Sequence, residues 1–411
     1  MISTSSLSPA ELYLKACRQT GVVPVSYILR HFGDATLNLN YYGLGPRGAK
    51  ALAILLKSHS VVTPLELKKN ALQAEGAQYL LEMLRTNRRI QSLNLSSNML
   101  GLKGATVISK MLSDNFYIKS INLSGNDFDD SAAKCLAEAL KTDSAVKELD
   151  LSHNQFCNAG EDLGVMLANN ISIKVLDLSW NGLRMPGAVA LIAGLKVNST
   201  LKELQLSHNG FGRTEAQSLA QALKLNHTLV LLDLSSNRVD DEAVKVICQG
   251  LATNKTLEVL KLSYNPIRKV GALTLLRTVK NNMKSALKDI DVFSVFVCEG
   301  FVELPEEILR SRPALCVQYS AVAYVTTNLA APRIFKKFLE EQNKSVMDFF
   351  QALDKEGTMK VSTSAFRNAV KEAKIPLSQQ QLEWLIRKLE KNCTATIVYS
   401  QSAELSEVWN Y

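Results

Sequence analysis

The chain has 411 residues, of which 46% are hydrophobic and 21% charged, and its formal net charge is +8 at pH 7. This composition supplies enough apolar side chains for a sizeable core and excludes a chain that is disordered over most of its length. The lysines and arginines are dispersed along the sequence and do not interleave with aromatic residues. We therefore expect a solvated basic surface and no nucleic-acid partner.

Targeting signals and cysteine usage give a first indication of location. No stretch reaches the roughly 18 apolar residues that a membrane span needs, and residues 1–6 show no basic region before an apolar core. The cysteines are odd in number, scattered and without a CxxC spacing, which is typical of reduced thiols. We expect a cytoplasmic protein without membrane contact, and we leave the nucleus and cytoskeletal or ciliary structures open.

Residues 1–34 begin with the pattern of a helix start. Ser8 has the form of an N-cap, Pro9 of a first helical residue, and Glu11 completes a capping box. Apolar residues follow at helical spacing. We interpret this segment as a helical cap on the open end of the array that follows it.

A repeated pattern fills residues 35–298. Two apolar residues flank a polar one, and Asn comes three positions after the second apolar residue. Successive Asn residues are 28 apart, except for 27 between Asn154 and Asn181. The alternation predicts a short strand with one buried face, and the Asn side chain can bond backbone groups of the bend that follows. The Asn members are Asn70, Asn98, Asn126, Asn154, Asn181, Asn209, Asn237 and Asn265.

The rest of each unit has the apolar spacing of a helix. Apolar residues four apart, such as Leu80 and Leu84, mark one buried helix face. A second Asn commonly closes the helix, for example Asn170, Asn198 and Asn226, and we expect it in a left-handed conformation. The residue missing from the short unit falls in the helix, so the strand register should continue unbroken.

These units predict an α/β solenoid. A single strand and helix cannot bury both faces alone, so about nine or ten units must stack side by side. Parallel strands lie ~4.8 Å apart, whereas packed helices need ~8 to 10 Å. The stack should therefore curve into a horseshoe, with parallel strands on the concave face and helices on the convex face.

The repeats resemble the ribonuclease-inhibitor type of leucine-rich repeat, which is shared by ribonuclease inhibitor, the activator of the Ran GTPase and the sensing regions of NOD-like receptors. Together with both flanks, the chain looks like the leucine-rich repeat-containing protein 74 family. The resemblance implies a repeat protein that binds other proteins, since fold alone does not define an activity.

Beyond the array, the period disappears. We interpret residues 299–329 as a C-terminal cap or linker and residues 330–411 as a helical region that resembles a degenerate EF-hand pair. A loop counted from Asp354 has Met359 at the sixth position and Ala365 at the twelfth, where calcium loops need Gly and Glu. A second loop, counted from Glu390, has Gln401 at its twelfth position. We therefore expect no calcium binding.

Residues between the repeat's Leu and Asn positions point away from the core, so function is sought there. His153 and His208 should stand ~10 Å apart with Trp180 between them, too far to share a metal ion. We expect no catalytic, cofactor or metal site. The partner-binding residues that we select are Glu148, Asp150, His153, Asp177, Trp180, Glu203, His208, Asp233 and Tyr264.

Two functions fit these features. The first is a non-catalytic scaffold whose acidic and aromatic concave strip binds a protein with a basic surface. The alternative, which depends on resemblance to the Ran activator alone, is a factor that regulates a small GTPase.

Overall fold

The computed structural model describes residues 7–58, 61–114, 117–141, 144–297, 308, 315–322, 331–354, 356–390 and 396–399. It divides into one unit of residues Met1–Ala321 and a second of Val322–Tyr411. The twelfth position of the second candidate calcium loop, Gln401, lies outside the described residues. Within the described part of the chain, no helix is both long and apolar enough to cross a bilayer.

The first unit alternates strands and helices along the chain. Its elements are α1 (Pro9–Thr20), α2 (Ser26–His31), β1 (Leu37–Asn38), α3 (Gly45–Ser58), β2 (Pro64–Glu66), α4 (Gln73–Leu84), β3 (Ser92–Asn94), α5 (Gly101–Asp114), β4 (Ser120–Asn122), α6 (Asp130–Leu140), β5 (Glu148–Asp150), α7 (Gly160–Asn169), β6 (Val175–Asp177), α8 (Gly187–Val197), β7 (Glu203–Gln205), α9 (Arg213–Leu225), β8 (Leu231–Asp233), α10 (Asp241–Leu251), β9 (Val259–Lys261), α11 (Lys269–Asn281), β10 (Asp289–Val297) and β11 (Cys316–Val322).

The described strands β1 to β11 form one sheet in sequence order, and β1 to β10 pair in parallel, which confirms the predicted solenoid. The register also passes through the short unit without a slip, since Glu148 pairs with Val175 and Val175 with Glu203. The helix absorbs the missing residue: α7 has 10 residues and the next helix, α8, has 11. Outward side chains of neighbouring strands are therefore aligned in straight rows.

The repeat core is buried, and most of residues 299–329, the predicted C-terminal cap or linker, lies outside the described residues. The middle residue of each short strand, such as Leu149 or Leu176, is buried under the helices. In α1, Ser8 forms a capping box with Glu11, and the helix packs against α3 at the start of the array. Capping boxes satisfy two helix-terminal donors at once, which fixes where the helix begins.

The Asn residues that follow the strands form a hydrogen-bond network along the array, and all of them are buried except the half-buried Asn181 and Asn209. The side-chain amide of Asn98 donates to the carbonyls of Leu67 and Leu95, both at 2.9 Å, and its Oδ1 accepts the Asn70 amide at 2.9 Å. Asn98 in turn donates its amide to Oδ1 of Asn126 at 2.8 Å. Each Asn thus bonds its own turn and the previous one, which joins neighbouring units. We call this network the asparagine ladder.

The prediction for the second Asn, at the helix end, was wrong in conformation. Asn170, Asn198 and Asn226 have φ between −79° and −65° and extended ψ values, so none is left-handed. Their side chains instead link units: Asn226 donates to the carbonyl of Leu195 at 2.9 Å, and its Oδ1 accepts the amide of Leu229 at 2.8 Å. Asn is used here because one amide can both donate and accept, and the left-handed preference of Asn plays no part.

The second unit contains α12 (Ala331–Glu340), α13 (Val346–Leu353), β12 (Lys360–Ser362), α14 (Thr363–Glu372), α15 (Gln379–Leu389) and β13 (Thr396–Val398), with β12 and β13 antiparallel. The four helices lie within residues 330–411, the region that the sequence predicts to be helical. Their apolar faces meet around Phe335, Phe350 and Phe366, which are fully buried.

Asp354 is the first position of the candidate calcium loop, and its carboxylate accepts hydrogen bonds from within the second unit. Oδ1 accepts the amide and hydroxyl of Thr358 at 3.1 Å, and Oδ2 accepts the Met359 amide at 2.6 Å and the Tyr399 hydroxyl at 2.7 Å. These donors, Tyr399 first, lower the pKa of Asp354 to about 2. Both oxygens of this carboxylate are thus occupied by protein donors. The absence of calcium binding stays a prediction.

The asparagine ladder can be tested at one rung. Asn98→Ala leaves the buried amides of Asn70 and Leu72 without their acceptor, whereas the Leu67 and Leu95 carbonyls keep a bond from Asn70 and Asn126. Each orphaned group costs roughly 1–3 kcal/mol, so we expect the free energy of unfolding to fall by about 3 kcal/mol in urea titrations followed by circular dichroism. Asn169→Ala, which removes one exposed bond to Val165, should cost less than about 1 kcal/mol. Equal losses would contradict the ladder.

Candidate partner-binding surface

All residues selected from the sequence lie on the face of the sheet that carries the outward strand positions, here called the strand face. Glu148 and Glu203 begin β5 and β7; Asp150, Asp177 and Asp233 end β5, β6 and β8; His153, Trp180, His208 and Tyr264 follow β5, β6, β7 and β9. Register pairs Asp150 directly with Asp177, while Gln205 separates Asp177 from Asp233. The parallel register therefore brings eight of the nine residues into four adjacent units, and Tyr264 lies one unit further.

The aspartates also have a structural role that the sequence analysis missed. Oδ1 of Asp150, Asp177 and Asp233 accepts the backbone amide two residues later at 2.8–2.9 Å. Asn94 and Asn122 make the same bend in earlier units, with both bonds at 3.0 Å. Since Asn serves the bend as well as Asp, the negative charge at Asp150, Asp177 and Asp233 is not needed for folding.

Asp177 is the least compensated of these carboxylates. Oδ2 of Asp150 accepts from Asn122 at 2.6 Å, and Asp233 lies 3.9 Å from Lys261. Among the described residues, Asp177 forms no ion pair. Burial raises the pKa of Asp177 above its ordinary value of 3.8, the Ser179 bonds oppose this rise, and the Asp150 and Asp233 charges add to it. The free protein thus holds a carboxylate whose charge is poorly stabilised.

Trp180 lies between two imidazole rings. Its centroid is 3.7 Å from that of His208 and 5.2 Å from that of His153, with interplanar angles of 11° and 14°. Because His153 belongs to the preceding unit and His208 to the following one, the rings cover opposite faces of the indole. Trp180 is still 50% exposed, so a partner meets its edge rather than its faces. The predicted order of the three residues is confirmed, but the stack is tighter than the strand spacing alone suggested.

These aromatic residues occupy a position that the backbone makes costly. His153, Trp180, His208 and Tyr264 all have φ between 53° and 57°, the left-handed region. Gly125 holds the same place in an earlier unit, with φ of 62°. Glycine adopts this conformation freely, whereas other residues pay roughly 1–2 kcal/mol. His208 also buries Nδ1 without a hydrogen-bond partner among the described residues. Lys69, Ser97 and Ser236 occupy the same position of the repeat with φ between 53° and 56°, so the left-handed conformation belongs to the repeat and does not require an aromatic residue.

Tyr264 stands apart from the stack. It follows β9, one unit beyond Ser236, and its ring is 64% exposed. Its backbone amide donates to Oγ of Ser294 at 2.6 Å, which fixes the main chain but leaves the ring in solvent. Tyr264 therefore extends the aromatic surface without joining the His153, Trp180 and His208 contacts.

Sequence reasoning overlooked a row of lysines at the entry to the strands. Lys119, Lys147, Lys174 and Lys202 each precede the first strand residue of β4 to β7, and all four are exposed. The signal was readable, because each follows a buried apolar residue at the same point of four successive units. The basic residues are dispersed in sequence, yet the repeat period gathers these four into one row, here called the lysine row.

The part of the chain that the structure describes contains no group of three or more His, Cys, Asp and Glu side chains that could hold a metal ion. The strand face instead offers a carboxylate row, an aromatic stack and a lysine row along one edge.

Comparison with known proteins agrees with this architecture. The family model described as "Leucine Rich repeat" matches residues 114–137, 169–191, 197–220, 225–248 and 253–276, all inside the array. These five segments of the chain are leucine-rich repeats. The chain resembles the leucine-rich repeat-containing protein 74 family, as its sequence suggests.

The curated relatives match over a short segment. Leucine-rich repeat-containing protein 74B of Mus musculus is 53% identical over 53 residues, 13% of this chain and 14% of that protein. The Homo sapiens protein of the same name is 51% identical over 51 residues, 12% of this chain and 13% of that protein. The matched segment therefore spans about one seventh of the length of these relatives.

Solved structures of other repeat proteins are similar at low identity. A crystal structure of a TLR13–ssRNA13 complex matches 67% of this chain and 34% of that chain, with 18% identity and a TM-score of 0.42. The leucine-rich repeat domain of APL1B matches 66% of this chain and 68% of that chain, with 17% identity and a TM-score of 0.39.

Replacing the uncompensated carboxylate should stabilise the fold. Asp177→Asn keeps the bend, as Asn94 and Asn122 show, and removes a charge that burial disfavours. The folded-state pKa is raised, so wild type loses stability as pH rises from 3.8 through that pKa. We expect Asp177→Asn to have a higher melting temperature at pH 7, with the gain vanishing below the ordinary carboxyl pKa.

The control for this measurement is Glu138→Gln, which neutralises an exposed carboxylate on α6. It should leave the melting temperature nearly unchanged across the same pH series. A lower melting temperature for Asp177→Asn at pH 7 would show that the charge itself supports the fold.

Proposed function

We propose that this chain is a non-catalytic scaffold that binds a protein partner on its strand face, the face that the repeat period assigns to the concave side. Leucine-rich-repeat arrays are generally protein-interaction scaffolds. The acidic and aromatic strip would give this array a preference for partners with a basic surface. The partner would present a basic surface to Asp150, Asp177 and Asp233 and a contact for the edge of Trp180. We expect it to act in the cytoplasm.

The observation that carries this proposal is that the strip costs stability that the fold does not need. Asp177 is a carboxylate with a raised pKa where Asn would keep the same bend. Trp180 places a half-exposed indole at a position of the repeat that Lys69, Ser97 and Gly125 occupy in other units. Residues that strain a structure without a structural reason are typical of functional sites.

The chemistry of binding follows from these costs. No described residue forms an ion pair with the Asp177 carboxylate. A cation from the partner would therefore stabilise its charge. The half-exposed indole would lose water along its edge, and its faces are already ordered by His153 and His208. A preorganised aromatic anchor saves the entropy of fixing a side chain on binding. Charge would thus steer association, and Trp180 would supply much of the affinity.

The alternative function, regulation of a small GTPase, stays a prediction from family resemblance. It would show itself as faster GTP hydrolysis by one member of a panel of purified small GTPases on addition of the full chain. The scaffold proposal does not depend on that outcome, since a GTPase is itself one class of protein partner.

The test uses two substitutions that preserve the backbone. Trp180→Gly removes the indole at a position where glycine is unstrained, and Asp177→Asn removes the charge while keeping the bend. The matched control is Ser97→Gly with Glu138→Gln, which changes an equivalent left-handed position and an exposed carboxylate elsewhere.

Partners recovered by proximity labelling would be purified and titrated against each variant by calorimetry. We expect the double variant Trp180→Gly/Asp177→Asn to raise Kd about 30-fold, roughly 2 kcal/mol, for a strand-face partner. The control should stay within about twofold. If every recovered partner binds the double variant and wild type equally, the strand face is not the binding surface.

A further inference from the structure

We infer that the lysine row, formed by Lys119, Lys147, Lys174 and Lys202, is a second binding surface, which receives an extended acidic polypeptide segment. It lies at the strand entry, before the first strand residues, whereas the aspartates and aromatic residues on which the proposed function depends lie at and beyond the strand ends. The inference therefore concerns a surface that the proposed function does not use.

Backbone hydrogen bonds fix the spacing of the row. The amide of Lys147 donates to the carbonyl of Lys119 at 2.7 Å, that of Lys174 to Lys147 at 2.7 Å, and that of Lys202 to Lys174 at 2.8 Å. Consecutive lysines are therefore direct neighbours across the sheet, ~4.8 Å apart along their backbones. The row is about 14 Å long, the reach of four or five residues of extended chain.

The charges in this row have no internal counterion. None of the four ammonium groups forms an ion pair with a described residue, although Glu148 and Glu203 follow Lys147 and Lys202 in sequence. Like charges placed opposite each other in a sheet are destabilising. The same row further along shows the neutralised alternative, because Lys288 there bonds Glu258 of the neighbouring unit at 2.7 Å. The four lysines are thus an uncompensated positive line on a rigid frame.

The lining favours an acidic polypeptide over a nucleic acid. The row offers ammonium groups alone, without the aromatic rings on which unpaired bases stack or the arginines that bind phosphate in a bidentate way. The next row inward alternates Ser120, Glu148, Val175 and Glu203. A continuous phosphate chain would run beside both glutamates, whereas a peptide can place a neutral residue opposite each. Carboxylates at intervals along an extended segment match this pattern best.

The experiment measures fluorescence anisotropy of a labelled peptide of five glutamates flanked by glycines, titrated with the full chain at low salt. We expect saturable binding that weakens as salt is raised, and no binding of the matching glutamine peptide. Lys147→Glu/Lys174→Glu should weaken binding at least tenfold, about the effect of reversing closely placed charges. Lys147→Gln/Lys174→Gln gives the same direction without adding negative charge, should the reversal impair folding.

The matched control is Lys134→Glu/Lys245→Glu, which makes the same change in net charge on exposed positions of α6 and α10. It should bind the peptide within about twofold of wild type, as should Trp180→Gly, which tests the other surface. An equal loss in the control, or no binding by wild type, would overturn the inference. Tighter binding of a labelled single-stranded uridine oligonucleotide that is lost in Lys147→Gln/Lys174→Gln would also overturn it, in favour of nucleic acid.

Discussion

The bend between each strand and the helix that follows it buries backbone groups that neither element can satisfy. In this protein one side chain per unit meets that need, because each Asn of the asparagine ladder donates to the carbonyls of two successive turns and accepts an amide from its neighbour. An unpaired polar group in a dry core destabilises the fold by more free energy than most single contacts contribute. The repeat period, the strand register and the alignment of the outward rows all follow from this requirement.

Because the rows are aligned, side chains of the same kind can form straight lines across the sheet. A residue chosen at one point of the repeat meets its counterparts ~4.8 Å away on either side, so like residues in successive units make a line. Three kinds of line occur on one part of the sheet: carboxylates at the strand ends, stacked rings just beyond them, and lysines at the strand entry. Folding does not explain the raised pKa of Asp177, and it does not require the half-exposed indole of Trp180, because Lys69 and Ser97 occupy the same position in other units. Stability and recognition are therefore supplied by different positions of the same repeat.

The fold was readable from the sequence because its determinants are periodic. Leu149, Asn154 and their equivalents recur at fixed spacing, and that spacing alone predicts strands, bends, helices and stacking order. The second Asn set was assigned for the wrong reason, since Asn226 bonds across units instead of adopting a left-handed conformation. The recurrence of Asn marks the end of each helix. The carbonyl to which its side chain donates lies about one period away and comes close only when the units are stacked.

The candidate surface was only partly predictable. Its members could be selected as the variable outward positions, but the contacts among them depend on side-chain geometry. Neither the closeness of His208 to Trp180 nor the use of Asp177 Oδ1 in a bend follows from spacing. The lysine row, in contrast, is periodic and follows from spacing. Its four lysines are far apart along the chain and become neighbours only across the stacked units.

The central claim, that the asparagine ladder holds neighbouring turns together, is tested most directly by native-state hydrogen exchange of backbone amides. Asn98 and Asn126 donate their amides to side chains of the next unit at 2.8 and 3.0 Å, whereas the exposed Asp127 amide in the same bend has no such bond among the described residues. The account predicts that the Asn98 and Asn126 amides exchange as slowly as the Leu95 amide, which follows β3 and donates to the Asn122 carbonyl of the next unit at 2.8 Å, through cooperative unfolding of the array. Exchange of these Asn amides at the rate of Asp127 would contradict it.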